Sequence, residues 1–170
     1  MPKAVEPSSC GSQKTRNQES RREICNRQGQ APREVTIKAI LDTNVVISGI
    51  FWKGPPFRIL EAWQEQRFRL VISVPILEEY RRVLAEMVGE HFSPVPHSIL
   101  GLIELHSEMV EPVSFAKAVC SDPDDDKFLE AAVAANADYV VSGDAALLRV
   151  RGHRGIGIVK PAEFLKLLSR

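Results

Sequence analysis

No run in the chain approaches the ~20 apolar residues of a membrane span, although 44% of its 170 residues are hydrophobic. A membrane-spanning helix is therefore not expected. Cysteine is scarce: Cys10, Cys25 and Cys120 are odd in number, far apart and without a C-x-x-C. Neither a disulfide framework nor a zinc ribbon follows from them. Net charge is also lacking, with 22 Lys plus Arg against 22 Asp plus Glu. That balance argues against a sequence-nonspecific nucleic-acid coat, but not against an enzyme that touches a few phosphates. There is no Gly-rich phosphate loop of the P-loop type. His91, His97, His106 and His153 form no ligand pair at helical spacing, and Ser48 and Cys120 have no base beside them in sequence. Covalent catalysis is thus not indicated. The opening MPKAVEPSSCGSQ lacks the apolar stretch of a secretory signal. The expectation is a soluble, cytoplasmic protein with one domain large enough to bury a core.

What is present divides unevenly. Residues 1–34 carry seven basic residues against four acidic ones and are rich in Ser, Gln, Asn, Pro and Arg. Without apolar periodicity, such a stretch cannot offset its ordering entropy by burial. It reads as a disordered basic tail before a domain over 35–170. From Val35 the texture changes. Val35-Thr36-Ile37-Lys38-Ala39-Ile40-Leu41 is β-branched and apolar, and predicts a strand. Pro55-Pro56 predicts the first turn of a helix running to Trp63. Arg69 to Ile72 predicts a second strand, and Ser73-Val74-Pro75 opens a helix to about Val88. Ser98 to Val110 carries apolar residues at helical spacing, and Asp122 to Ala135 an Ala-rich helix with an acidic start. Tyr139 to Val141 and Ile156 to Val159 predict strands, and Pro161 to Leu168 a last helix. Strands alternating with helices predict an α/β fold, a three-layer α/β/α sandwich with a mostly parallel central sheet.

In such sheets ligands bind beyond the carboxyl ends of the strands. The residues found there are therefore informative. Asp42-Thr43-Asn44 follows the first strand, and Ser142-Gly143-Asp144 follows the strand at Tyr139. Both acids end buried apolar runs, so both should face one crevice, although helix capping alone would also place Asp and Ser there. On the 74–88 helix the apolar stripe is Ile76, Leu77, Tyr80, Val83, Leu84, Met87 and Val88. Glu79 lies at its edge and Glu78 roughly opposite, four residues before Arg82 in the order of a surface ion pair. In Asp122-Pro123-Asp124-Asp125-Asp126, one or two acids suffice for capping and the helix dipole. Asp126 lies about 90° from the centre of the stripe of Phe128, Leu129, Ala132 and Val133. It is the inward candidate, with Asp124 and Asp125 read as cap or solvent residues. Like charges at Asp42, Glu79, Asp126 and Asp144 would repel in one crevice. The usual resolution is a divalent cation, and all-oxygen ligands suit Mg²⁺ or Mn²⁺ rather than zinc. The implied chemistry is metal-assisted hydrolysis of a phosphodiester.

Ile40-Leu41-Asp42-Thr43-Asn44-Val45-Val46-Ile47-Ser48, Pro75-Ile76-Leu77-Glu78-Glu79-Tyr80, Asp122-Pro123-Asp124-Asp125-Asp126-Lys127-Phe128 and Val141-Ser142-Gly143-Asp144 together resemble the PIN domain over about residues 36–165. Within it they look like the toxin–antitoxin PIN proteins, relatives of the VapC ribonuclease toxins. The resemblance implies a Mg²⁺- or Mn²⁺-dependent ribonuclease acting on single-stranded RNA. Such proteins are held inactive by a cognate antitoxin protein and often form a homodimer. It carries the conserved acids onto Asp42, Glu79, Asp126 and Asp144, and supporting polar positions onto Asn44 and Ser142. Two features depart from the family. Many relatives have a further Asp soon after the fourth acid, where Ala145-Ala146 stand here, and the basic tail is atypical. Competing readings are a non-catalytic PIN-fold module that binds an antitoxin or RNA, and a haloacid-dehalogenase-like phosphatase. The latter needs a second Asp where Asn44 stands. RNA contact would fall to Lys53, Arg67, Arg69, Arg149, Arg151 and Arg154, with Arg149, Arg151 and Arg154 closest in sequence to Asp144. Ile50-Phe51-Trp52 and Trp63 are expected in the core or at an interface.

Overall fold

The computed structural model describes residues 37–88 and 94–169. The expected tail, residues 1–34, lies outside the described residues, as do Gly89 and His91. Six strands and seven α-helices follow in the order β1 (Lys38–Leu41), α1 (Thr43–Phe51), α2 (Pro55–Gln64), β2 (Arg69–Ile72), α3 (Val74–Val88), α4 (Pro94–His106), β3 (Glu108–Met109), α5 (Asp126–Ala135), β4 (Tyr139–Val141), α6 (Ala145–Val150), β5 (Gly152–His153), β6 (Ile156–Val159) and α7 (Pro161–Leu168). A single 3₁₀ turn, Pro123–Asp125, leads directly into α5.

The sheet order is β3-β2-β1-β4-β6-β5. All pairings are parallel except β5 with β6, so the expected mostly parallel sheet flanked by helices is what forms. Ala39, Ile40, Leu41, Leu70, Val71, Ile72, Val140 and Val141 are buried. Strands covered on both faces become continuous apolar runs rather than alternating ones. Helix α5 packs over β1, β2 and β4, and α2 packs against both α1 and α7. The ring of Phe164 on α7 meets Phe68 edge-on at 5.1 Å and Tyr139 at 5.9 Å. Gly49 lets α1 and α2 approach, since a Cβ there would lie 2.8 Å from the Pro56 carbonyl oxygen.

Three local outcomes differ from the sequence expectation. The helical spacing from Ser98 to Val110 does not persist: α4 stops at His106, and Glu108–Met109 pairs with β2 instead. Val110 then donates its N–H to the Ile72 carbonyl at 2.9 Å. The unpaired edge of β2 supplies partners that a longer helix would forgo. Helix α1 carries Val45, Val46, Ile47 and Ile50, β-branched residues of modest helix propensity, and its start is fixed by the Asp42 cap. Helix α6 and strand β5 are too short for a periodic signal. β5 is joined to β6 by a two-residue turn, Arg154 (φ 50°) and Gly155 (φ 86°). Two positive φ values in succession match the twist of a tight hairpin. Among the described residues, no helix is long and apolar enough to cross a membrane.

Candidate active site

The chain builds outward from β1 to β2 and β3, then crosses to β4 on the other side of β1. Where strand order reverses in this way, a crevice opens at the carboxyl ends of the two inner strands. Leu41 pairs with Val141, and Asp42 donates its N–H to the Val141 carbonyl at 2.9 Å. Asp42 and Ser142 therefore leave the sheet side by side. Asp42 is 4% exposed and Ser142 fully buried. The Ser142 hydroxyl donates to Asp42 Oδ2 at 2.6 Å and accepts the Asp144 N–H at 2.9 Å. One hydroxyl thus sets the positions of both acids.

Asp42 and Asp144 also cap helices. Asp42 Oδ1 accepts the Asn44 N–H at 3.2 Å at the start of α1, and Asp144 Oδ1 accepts the Ala146 N–H at 2.6 Å at the start of α6. Capping and facing the crevice are compatible here, because each cap uses one carboxylate oxygen. Asn44 contributes through its backbone; its side chain is exposed. Burial raises the Asp42 carboxyl above its ordinary value. Ser142 and Asn44 oppose the rise, and the charges of Asp144 and Glu79 add to it.

Glu79 is half-buried and Glu78 exposed, as the helical phase predicts. Glu79 Oε1 accepts the Thr43 hydroxyl at 2.6 Å, and its Oε2 is ion-paired with Lys127. The next residue, Tyr80, is fully buried and donates its hydroxyl to the Leu41 carbonyl, tying α3 to the end of β1. Burial raises its phenol well above the ordinary value, with the charges of Asp42 and Glu79 adding to the effect.

Within the aspartate run the helical phase again predicts the inward acid. Asp126 is buried, but its carboxylate is occupied by the backbone: Oδ2 accepts the Val119 N–H at 2.9 Å and Oδ1 the Cys120 N–H at 2.7 Å. It pins the 119–120 segment to the start of α5. The neighbouring Asp125 is half-buried. Its carboxyl is pushed up to about 6, first by burial and then by the charges of Asp144 and Asp42, while Lys127 opposes the shift. Cys120 is no nucleophile: burial and Asp126 push its thiol up to about 12.

Sequence reasoning missed Asp125, Thr43, Lys127 and Tyr80. Of these, Thr43 carried a usable signal, since it follows Asp42 directly. The arginines expected near Asp144 spread out. Arg149, Arg151 and Arg154 are exposed. Arg154 sits in the β5–β6 turn at the amino end of β6, away from the crevice, with its guanidinium 5.8 Å from the centroid of the Phe115 ring. Arg67 donates to the Leu168 carbonyl at 2.8 Å, and Arg69 starts β2 at the opposite end of the sheet. Trp63 is in the core as expected, whereas Trp52 is 56% exposed.

Among the described residues, no group of three or more His, Cys, Asp or Glu side chains stands close enough to enclose a metal ion. The donor chemistry nevertheless fits a hard divalent cation. Asp42, Asp125 and Asp144 offer oxygen only, and burial first, then the charge of neighbouring carboxylates, raises the Asp42 and Asp125 carboxyls. Mg²⁺ needs few protein ligands because it keeps several waters.

A mostly parallel α/β sheet with Asp42 and Asp144 tied through Ser142 at its switch point defines the class. Residues 38–146 match the family model described as the PIN domain, well over half of the chain, and the chain belongs to that family. Solved structures that share the fold include the following two. PAE2754 from Pyrobaculum aerophilum is 12% identical with a TM-score of 0.55, over 79% of this chain and 90% of that one. VapBC2 from Rickettsia felis, bound to a DNA fragment from their promoter, is 15% identical with a TM-score of 0.50, over 73% of this chain and 98% of that one. No curated protein sequence matches the chain significantly.

Proposed function

We propose that the chain is a Mg²⁺- or Mn²⁺-dependent endoribonuclease that hydrolyses phosphodiester bonds in single-stranded RNA. In this reading it is the cytoplasmic toxin of a toxin–antitoxin pair. The observation that carries the proposal is the Asp42 carboxylate, buried at the switch point and joined through the Ser142 hydroxyl to Asp144, with burial raising its proton affinity. A structural carboxylate is usually given a cation or enough hydrogen bonds to lower its pKa, so a raised one in a crevice is a functional candidate. PIN domains are generally nucleases that use a divalent metal, and the likeness to VapBC2 supports an antitoxin partner.

Asp42, Asp144 and Asp125 would hold the metal. When bound, it would lower the pKa of a water and neutralise charge on the phosphate under attack. Ser142 orients Asp42 and Asp144 together. Asp126 acts as a positioning residue through the backbone of Val119 and Cys120. Glu79 is anchored by Thr43 and charge-balanced by Lys127. A haloacid-dehalogenase-like phosphatase is disfavoured, because the acid/base position two residues after Asp42 is Asn44.

The test is cleavage of defined single-stranded RNAs with Mn²⁺, with and without chelator, beside the Asp42→Asn protein. Chelator-sensitive cleavage that Asp42→Asn lacks supports the nuclease. Absence of cleavage, together with a melting temperature unmoved by millimolar Mn²⁺, overturns it in favour of a non-catalytic binding module, since a ligand bound only by the native state must raise stability.

A further inference from the structure

We infer that Lys127 is the built-in counter-cation of the acidic crevice and that it limits how tightly a divalent ion binds there. The inference rests on the proposed metal site and adds to it a residue that the carboxylates alone do not reveal.

Lys127 lies in the first turn of α5, directly after Asp126. Its ammonium is ion-paired with Glu79 Oε2, and the two side chains are 22% and 19% exposed. The other Glu79 oxygen is held by the Thr43 hydroxyl, one residue beyond Asp42. A single carboxylate therefore joins α1, α3 and α5 around the crevice. The ammonium also sits 5.5 Å from the centroid of the Phe128 ring, whose side chain is buried, an arrangement that favours a fixed cation. Most surface ion pairs are exposed, mobile and weak. This one is largely shielded, anchored on both partners and placed among further acids.

The consequence follows from charge alone. Several carboxylates in one crevice disfavour each other's ionisation and oppose the folded state unless positive charge is nearby. Lys127 supplies one such charge when no metal is present, so the crevice can stay empty without unfolding the domain. The same ammonium repels any further cation entering the crevice. It therefore stabilises the metal-free fold and weakens metal binding. A lysine serving only to pack α5 against α3 would do the first but not the second.

The experiment is calorimetric titration of the full chain with Mn²⁺, together with thermal melts in chelator, for the wild type, Lys127→Met, Lys127→Gln and Lys127→Arg. Met keeps the aliphatic stem and removes the charge; Gln is a second neutral variant should Met fold poorly. The neutral variants are expected to bind Mn²⁺ about tenfold more tightly while melting lower in chelator, with Lys127→Arg close to the wild type in both. Unchanged or weaker Mn²⁺ binding in both neutral variants, beside a wild type that does bind, overturns this inference and leaves the metal site standing. A wild type that binds no Mn²⁺ overturns the metal site and this inference with it.

Discussion

The two ends of the sheet hold charge in opposite ways. At the amino end charges are matched. Lys38 Nζ meets Glu108 Oε1 at 2.7 Å, Arg69 lies 4.0 Å from the same carboxylate, and Asp138 Oδ2 accepts the Lys38 N–H at 2.8 Å. At the carboxyl end Asp42 and Asp144 are joined through the Ser142 hydroxyl, and Glu79 is ion-paired with Lys127. There Asp42 and Asp125 are pushed up rather than down. Both ends belong to the same short parallel strands, so the fold does not require the imbalance. An end that pairs its charges serves stability, whereas an end that leaves like charges together has been kept for chemistry at some cost to stability.

The most severe way to break the comparison is Asp42→Asn. Metal-dependent RNA cleavage should fall at least about a hundredfold, while the melting temperature in chelator holds or rises because a buried charge is removed. A large loss of stability with cleavage intact would make Asp42 a structural residue like those at the other end.

Next comes the contrast between neighbours. Asp126→Ala strips a charged acceptor from the Val119 and Cys120 N–H groups and should cost about 2–3 kcal/mol in denaturant unfolding. Asp125→Asn should cost nothing in stability, and instead weaken Mn²⁺ binding. Interchanged outcomes would return Asp126 to the crevice.

The acid-rich end should also titrate. The folded pKa of Asp125 is raised to about 6 from an ordinary value of 3.8, and that of Asp42 is raised too. A raised folded pKa means that the native state binds the proton more tightly than the unfolded chain. The stabilising contribution is complete below the unfolded value and is lost as pH climbs through the folded one. In chelator, thermal stability should therefore increase as pH falls from about 7 towards 4. Asp125→Asn should flatten part of that trend. A wild type that steadily loses stability over the same range would show that other carboxylates dominate.

The smallest effect belongs to the amino end. Glu108→Gln should change unfolding free energy by no more than about 1 kcal/mol and leave Mn²⁺ affinity and cleavage untouched. A shift in metal affinity would mean that the two ends are coupled.

The contrast also explains which features could be read in advance. Apolar β-branched runs ending abruptly at Asp42 and at Ser142 expose both the strands and their carboxyl ends, because burial on two faces demands unbroken hydrophobicity. The 100° helical phase separates Glu79 from Glu78, because α3 is long and regular. The same arithmetic placed Asp126 inward, where it is buried, but could not name its partners. A 3₁₀ turn precedes α5, and the N–H groups of Val119 and Cys120 draw Asp126 toward them. That choice lies in contacts with an irregular segment that has no period. Likewise β3 and β5, with two residues each, owe their form to the partners beside them.

The amino-acid sequence by itself determined the parallel α/β architecture, the two acids that end β1 and β4, and the inward helical acid, since each follows from patterns local to one element. Only the tertiary structure decided that Asp126 accepts the Val119 and Cys120 N–H groups, that Thr43 and Lys127 share Glu79, and that Arg154 turns away to the far end of the sheet. Those outcomes depend on which groups from distant segments meet in space, and a charge or a hydrogen-bond donor has no partner until the chain has closed around it.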